Sequence, residues 1–370
     1  MSRGERQVPV ARRLLAARPV RTAAGALGIG LALMLMLLLS GLWTGVQQRV
    51  TVYDDHLEAD LVVVPAGAES LFADPGVLPA ATVTVVEGTD GVTGAWPIRT
   101  MYSILELPHG KAAVAVAASE PGGPGGPWAL AAGRAPVTTH EVALDALFAD
   151  EHGLAVGDDI PMFGHPMRVV GLTEGTAMFM TPMVFTTGAA MTGMLRAGDT
   201  TGAVLVATDT PGSVADRLRD RGLTVRTPLQ LREASLTLAT RIYGSPVKLM
   251  VSVAFATGTL IVALVAYTRV SEQQRDLGVL KALGATPGRV RRIALTETAA
   301  LTAAGAVAAV VLLLLTRELL SWWRPAFPVV MTSAILTRTA AAAAVMALLA
   351  AGLPAHRLSR FDAASAFRSR

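Results

Sequence analysis

The sequence predicts a membrane α-helical protein, with four transmembrane helices and an α+β extracytoplasmic domain inserted between the first and second spans. Three observations predict it. Four apolar runs each reach the about 20 residues that a bilayer-crossing helix needs. The segment between the first two runs has instead the mixed pattern of a water-facing folded domain. Charge is divided to match: residues 47–248 hold 13 Lys and Arg against 22 Asp and Glu, whereas the rest of the chain holds 19 against 6.

Composition narrows the chemistry. Of 370 residues, 52% are hydrophobic and 16% charged, well short of the about 25% charged that soluble domains carry. Cysteine is absent, which excludes disulfides, thiolate metal sites and a cysteine nucleophile. The pI near 9.8 does not point to nucleic acid, because the basic residues flank apolar runs, where the positive-inside rule places them in the cytoplasm.

Residues 1–21 alternate basic and apolar residues and predict a short helix in the cytoplasmic interface. Residues 22–46 are free of charge, are preceded by six arginines and end near Trp43; the run is too long for a cleaved leader and predicts an uncleaved first span. The second span is placed at 246–268, with Pro246 in its first turn, the third at 293–315 and the fourth at 333–353. Loop 269–292 carries Arg269, Arg275, Lys281, Arg289, Arg291 and Arg292, and tail 354–370 carries Arg357, Arg360, Arg368 and Arg370. Both are placed in the cytoplasm with the N-terminus. That leaves 47–245 outside, together with the short outer loop 316–332, where Trp322 and Trp323 are interfacial anchors.

Within the outer domain, β-branched runs predict strands at 59–64, 81–86, 112–117, 168–172 and 203–207. Helices are predicted at 139–152, 213–221 and 229–243, and the interleaving points to two subdomains. PGGPGGP at 121–127 reads as a flexible exposed linker. Asp54, Asp55, Glu58 and Asp60 read as a solvated acidic face rather than a cation site. Leu231, Ala234, Leu238 and Ile242 repeat at helical spacing, so 229–245 is a stalk leading into the second span, with 46–57 as its partner.

Catalytic signatures are missing. There is no G-x-x-x-x-G-K-[ST], no H-E-x-x-H and no G-x-S-x-G, so the chain has no Walker loop for ATP and none of these hydrolase motifs. Gly25, Gly28 and Gly30 lie in the first span and read as helix-packing positions. Glu297 lies one turn inside the third span. Charges there are costly and often functional; with Arg291 and Arg292 nearby, structural pairing with an arginine at the interface is expected over a transport role.

The most informative segment is 272–297, EQQRDLGVLKALGATPGRVRRIALTE. It is basic and amphipathic and stands between two spans. Leu277, Leu280, Ala282 and Leu283 form a small docking surface for a soluble partner. Glu272, Asp276, Leu277, Gly278, Leu280, Lys281, Ala282, Leu283, Gly284, Ala285 and Thr286 resemble the loop motif E-x-x-x-E-I-G-x-L-K/R-A-I/L-G-A-T of the FtsX-like/MacB-like permeases of ABC transporters, with Asp276 in place of the usual Glu. Glu297 matches a glutamate that opens the third span in that family. LPAHRLSRFDAASAFR resembles its C-terminal motif, with Ala363 and Phe367 departing from it, and residues 141–172 resemble its core-domain segment.

The resemblance implies a non-catalytic permease subunit in a bacterial cell membrane, with both termini cytoplasmic. A separate cytoplasmic ATPase dimer, which binds ATP and Mg, would grip the loop. Leu277, Leu280 and Leu283 would insert in an ATPase groove, with Arg275, Lys281 and Arg289 at the rim. Gly284 and Thr286-Pro287-Gly288 would end the coupling helix. A second permease chain would pair through the first two spans. No cofactor would be bound by this chain, membrane lipids would surround it, and an extracytoplasmic protein is a further partner the family allows. The implied work is export or extraction of lipids, lipoproteins, peptides or drugs; in some relatives it is activation of a cell-wall hydrolase.

Overall fold

The computed structural model describes residues 19–107, 110–272, 286–323 and 329–360. The chain divides into two compact units: Met1–Gly45 with Gly244–Arg370, and Val46–Tyr243.

The first unit is built from four long apolar helices. They are α1 (Pro19–Val50), whose last turn belongs to the inserted unit, and three more that follow the inserted domain and are given below with their own ranges. Each has a stretch long and apolar enough to cross a membrane. Their shared core joins Ile29, Leu33 and Leu37 of the first helix to Val262, Leu301, Leu313, Met346 and Ala350 of the others. Leu27, Leu31, Leu260, Leu264, Val311 and Leu348 are exposed, as expected of helices whose outward faces meet lipid rather than water. Small residues let the backbones approach: a Cβ on Gly30 would lie 3.0 Å from Ala308 Cβ and 3.1 Å from the Gly305 carbonyl oxygen. The expected packing role of glycine in the first span is seen there.

The inserted domain contains β1 (Leu61–Val64), β2 (Leu78–Pro79), α2 (Ala81–Glu87), β3 (Gly94–Leu107), β4 (Gly110–Ser119), β5 (Leu130–Gly133) and β6 (Glu141–Asp145). It continues with α3 (Ala146–His152), β7 (Asp159–Met162), β8 (His165–Thr173), β9 (Met183–Thr187), α4 (Gly188–Leu195), β10 (Thr200–Thr201) and β11 (Ala203–Ala207). It closes with α5 (Pro211–Asp220), β12 (Thr224–Arg226) and α6 (Pro228–Ala239). The three remaining helices of the first unit are α7 (Ser245–Glu272), α8 (Pro287–Trp323) and α9 (Ser333–Arg360).

Two subdomains were expected; among the described residues one large sheet runs through the whole unit, in the order β12-β1-β11-β3-β4-β9-β6-β8-β5, with β7 also on β8. The reason is the length of β3. Its first residues, Gly94–Ile98, pair with β11, and Arg99–Leu107 pair with β4, so one strand serves both halves. β1 is buried on both faces: Leu61 and Val63 enter a core with Val86, Val214 and Leu218, while Val62 and Val64 join Ile98, Leu205, Phe185 and Leu231. A strand covered on both sides reads as an unbroken apolar run rather than an alternation.

Several expected elements are different in kind. Residues 81–86 form α2, not a strand. Thr82 and Val86, one helical turn apart, are buried, and Val86 packs on β1 and β11 side chains, so tertiary contact overrides β-branched propensity. Helix 139–152 begins only at Ala146. Glu141–Asp145 is a strand buried at every position, and Asp145 then accepts a hydrogen bond from the Phe148 amide at 3.3 Å to cap α3. The 121–127 loop is not an exposed linker: Gly125 is buried and its carbonyl accepts the Tyr53 hydroxyl at 2.9 Å. The outer loop is shorter than expected, because α8 runs on to Trp323.

Candidate functional site: the two ends of the second span

α7 ends at Glu272 and α8 opens at Pro287, with Thr286 outside either helix. Arg275, Asp276, Leu277, Gly278, Leu280, Lys281, Leu283, Gly284 and Ala285 lie outside the described residues, as does Ala282. Glu272 and Thr286, which bracket the segment, are exposed. Pro287 starts the next helix, where its fixed φ and missing N–H are harmless.

Glu297 sits in the third turn of α8. An arginine meets it, as expected, from the neighbouring helix. Arg269, in the last turn of α7, donates from Nη1 to Glu297 Oε1 at 2.9 Å and from Nη2 to Thr22 Oγ1 at 2.8 Å. The Arg269 and Glu297 side chains are only 15% and 6% exposed. One guanidinium therefore ties α1, α7 and α8 together beside the ends of the coupling segment. The planar fork of arginine suits this, since two partners on different helices can be met at fixed geometry. Neither Arg269 nor Thr22 was picked out from sequence as a partner for Glu297. The signal was present only as a basic residue closing one apolar run and an acidic residue near the start of the next.

At the other end of the second span lies α6. Thr227 and Gln230 form a capping box at its start and Pro228 occupies the first turn. A π-helical turn, Thr240–Gly244, follows, and helical structure continues directly into α7. Such turns are concentrated at functional positions. The chain leaving α1 packs on α6, as expected of residues 46–57. Arg232 Nε pairs with Asp55 Oδ1 at 2.8 Å, and Thr51 Oγ1 donates to Asp55 Oδ2 at 2.9 Å. Ser235 donates to the Asp54 carboxylate. Arg49 reaches the Ala177 carbonyl oxygen at 3.1 Å.

Asp55, Glu58 and Asp60 are exposed, as expected of a solvated acidic face, and Asp54 is the exception. Asp54 is 6% exposed, and burial pushes its carboxyl up to about 6, aided by Asp55 and opposed by Ser235 and Arg232. Asp60 is used elsewhere, accepting the Thr208 amide at 2.9 Å. Among the described residues, no group of three His, Cys, Asp or Glu side chains could hold a metal ion.

Two family models match the chain: a MacB-like periplasmic core domain over residues 22–221 and an FtsX-like permease C-terminal segment over residues 248–363. An uncharacterized ABC transporter permease of Mycobacterium bovis is 27% identical over 263 residues, covering 69% of this chain and 70% of the relative. A second such permease, from Mycobacterium tuberculosis, is 27% identical over 265 residues, covering 70% and 71%. The crystal structure of the periplasmic region of MacB from Actinobacillus actinomycetemcomitans matches with a TM-score of 0.37 at 12% identity, covering 48% of this chain and 92% of that one. Between them the two models span both the inserted domain and the long apolar helices, and the chain belongs to the FtsX-like and MacB-like family of ABC transporter permeases.

Proposed function

We propose that this permease is a non-catalytic lever. A separate cytoplasmic ATPase dimer grips residues 272–286, and ATP binding and hydrolysis there move the domain inserted between the first two spans. The observation that carries the reading is the run of helical structure from Pro228 to Glu272, which begins in the inserted domain and ends where the coupling motif begins. In this reading a stroke applied at Glu272 travels along that run. Arg269, tied to Glu297 and Thr22, makes α1 and α8 move with the end of that element. This is a two-state device biased by nucleotide.

In this reading the inserted domain lies outside the cell membrane and both termini lie inside. A second permease chain completes the assembly, and ATP with Mg binds only to the partner ATPase. The work done is export or extraction of lipids, lipoproteins, peptides or drugs. The shared core of the spans is dominated by apolar side chains such as Ile29, Leu33 and Val262, which favours mechanical work over conduction.

The test is Leu280→Asp. A charge in the docking surface should cut stimulation of the ATPase by the permease at least tenfold, while the permease still inserts and folds. Co-purification of the variant with a fully stimulated ATPase would sink the docking assignment.

A further inference from the structure

The inserted domain holds a cavity of 370 Å³ beside α6, a volume within the range of pockets that hold one drug-sized molecule. Five aromatic residues line it: Tyr53, Phe72, Tyr102, Phe179 and Tyr243. They are arranged as contacting pairs, Phe72 with Tyr102 and Phe179 with Tyr243, each with ring centroids 5.7 Å apart. The charged side chain in the lining is Asp54, with no lysine, arginine or histidine among the lining residues. Arg232, the nearby cation, is engaged with Asp55 at 2.8 Å.

This lining has a definite chemical preference. Ring faces carry negative quadrupole charge and attract cations. A buried carboxylate is costly unless an opposite charge compensates it, and Ser235 supplies a hydrogen bond but no charge. An anion such as a fatty carboxylate or a phosphate would meet both the rings and Asp54 as repulsion. A neutral hydrocarbon would satisfy the rings and leave Asp54 as it is. A cation with an apolar body satisfies both.

We propose that this cavity is a binding site for a small lipophilic organic cation, with Asp54 as its counter-ion and the five rings as its walls. Ser235 on α6 and Tyr243 in the π-helical turn belong to the lining, so an occupant touches the proposed lever. That consequence rests on the coupling reading; the binding itself does not.

The titratable and charged groups facing Asp54 are Asp55, Arg232 and the phenols of Tyr53, Tyr102 and Tyr243. Burial pushes the Tyr53 and Tyr102 phenols up, and Asp54 pushes both further, so they stay neutral through the physiological range. Asp54 is the group whose charge changes near pH 6.

The experiment uses the full chain in lipid nanodiscs, without an ATPase, and tritiated tetraphenylphosphonium, whose charge does not vary with pH. Equilibrium dialysis, corrected with empty nanodiscs, should show one saturable site. Asp54→Asn, which keeps the shape and a hydrogen-bonding partner for Ser235, should weaken binding at least tenfold. Tyr102→Leu, at a half-exposed ring, should weaken it several-fold. Tetraphenylborate, the anion of the same shape, should not compete. Affinity in the wild type should fall as pH is lowered through about 6, and the Asp54→Asn profile should be flat. Equal binding to wild type and Asp54→Asn, or equal competition by tetraphenylborate, would overturn the proposal. Because no ATPase is present, either result leaves the lever reading to its own test.

Discussion

Two carboxylates of the inserted domain respond to pH in opposite directions. Asp54 has its folded value raised to about 6 by burial. The folded state therefore holds its proton more tightly than the unfolded chain, and the stability associated with this group is present below about pH 4 and lost as pH rises through about 6. By neutral pH the loss is about 2–3 kcal/mol. Asp54→Asn should recover most of it at pH 7.5 and add little at pH 4, as read from urea unfolding followed by tryptophan fluorescence. Trp128 is a natural reporter, since it stacks on His56 at 4.5 Å beside Asp54 in sequence. Glu141 is the reverse case. Two hydrogen bonds from Arg134, at 2.6 and 2.8 Å, with the Val137 and Thr138 amides, hold it down to about 2. Its contribution is present above about pH 4.5 and is lost as pH falls through about 2.

Arg269 and Glu297 show how far a residue's role can be read from sequence. That Glu297 is special was legible, because a carboxylate inside an apolar run is costly in lipid. Its partner was not, because 28 residues separate it from Arg269 and sequence neighbours Arg291 and Arg292 were the nearer choice. The contact exists because two helices meet, which local pattern does not contain. Replacing Arg269 with Met removes a guanidinium from a carboxylate only 6% exposed and should cost about 3 kcal/mol or more. The double variant Arg269→Met/Glu297→Leu should regain much of that loss. Unfolding in mixed detergent micelles measures both; a single variant as stable as wild type would show the pair to be idle.

At the scale of elements, the long helices were legible, as were the helices predicted at 213–221 and 229–243, whereas two short buried segments were not. A span announces itself by length and apolarity, two properties that no neighbour can alter. The helices α1, α7, α8 and α9 lie where apolar length placed them, although each extends beyond the apolar run as polar turns carry on its hydrogen bonding. The seven residues of α2 and the five of β6 had no such protection. Each is decided by what lies across from it, and each was assigned to the wrong class. The packing of small residues is an element-scale property that was legible, and it separates two neighbouring glycines. A Cβ on Gly30 would press on Ala308 and the Gly305 carbonyl at 3.0–3.1 Å, whereas one on Gly28 would meet Ile261 Cγ2 at an ordinary 3.7 Å. Gly30→Leu should therefore destabilise the helix unit by about 1–3 kcal/mol through overpacking. Gly28→Ala should be neutral or mildly stabilising, since Gly in a helix costs about 1 kcal/mol relative to Ala. Detergent unfolding of the two variants side by side distinguishes the positions.

At the scale of the whole molecule, charge decides orientation. The segment 47–248 has 22 acidic and 13 basic residues, and the remainder has 6 and 19. Translocating a short loop rich in Arg and Lys is disfavoured, and on that ground we propose that the basic segments face the cytoplasm and the inserted domain the outside. The lever reading needs this orientation, because residues 272–286 must meet a nucleotide-driven partner where ATP is found. The chain carries no cysteine, so a single introduced thiol reports its own side of the membrane without background. Val77→Cys, at a position 60% exposed in the inserted domain, should react with a membrane-impermeant maleimide in intact cells stripped of their wall. Leu280→Cys should react only after the membrane is permeabilised. Reversed labelling would place the coupling motif outside, away from any ATPase, and the lever would have nothing to push it.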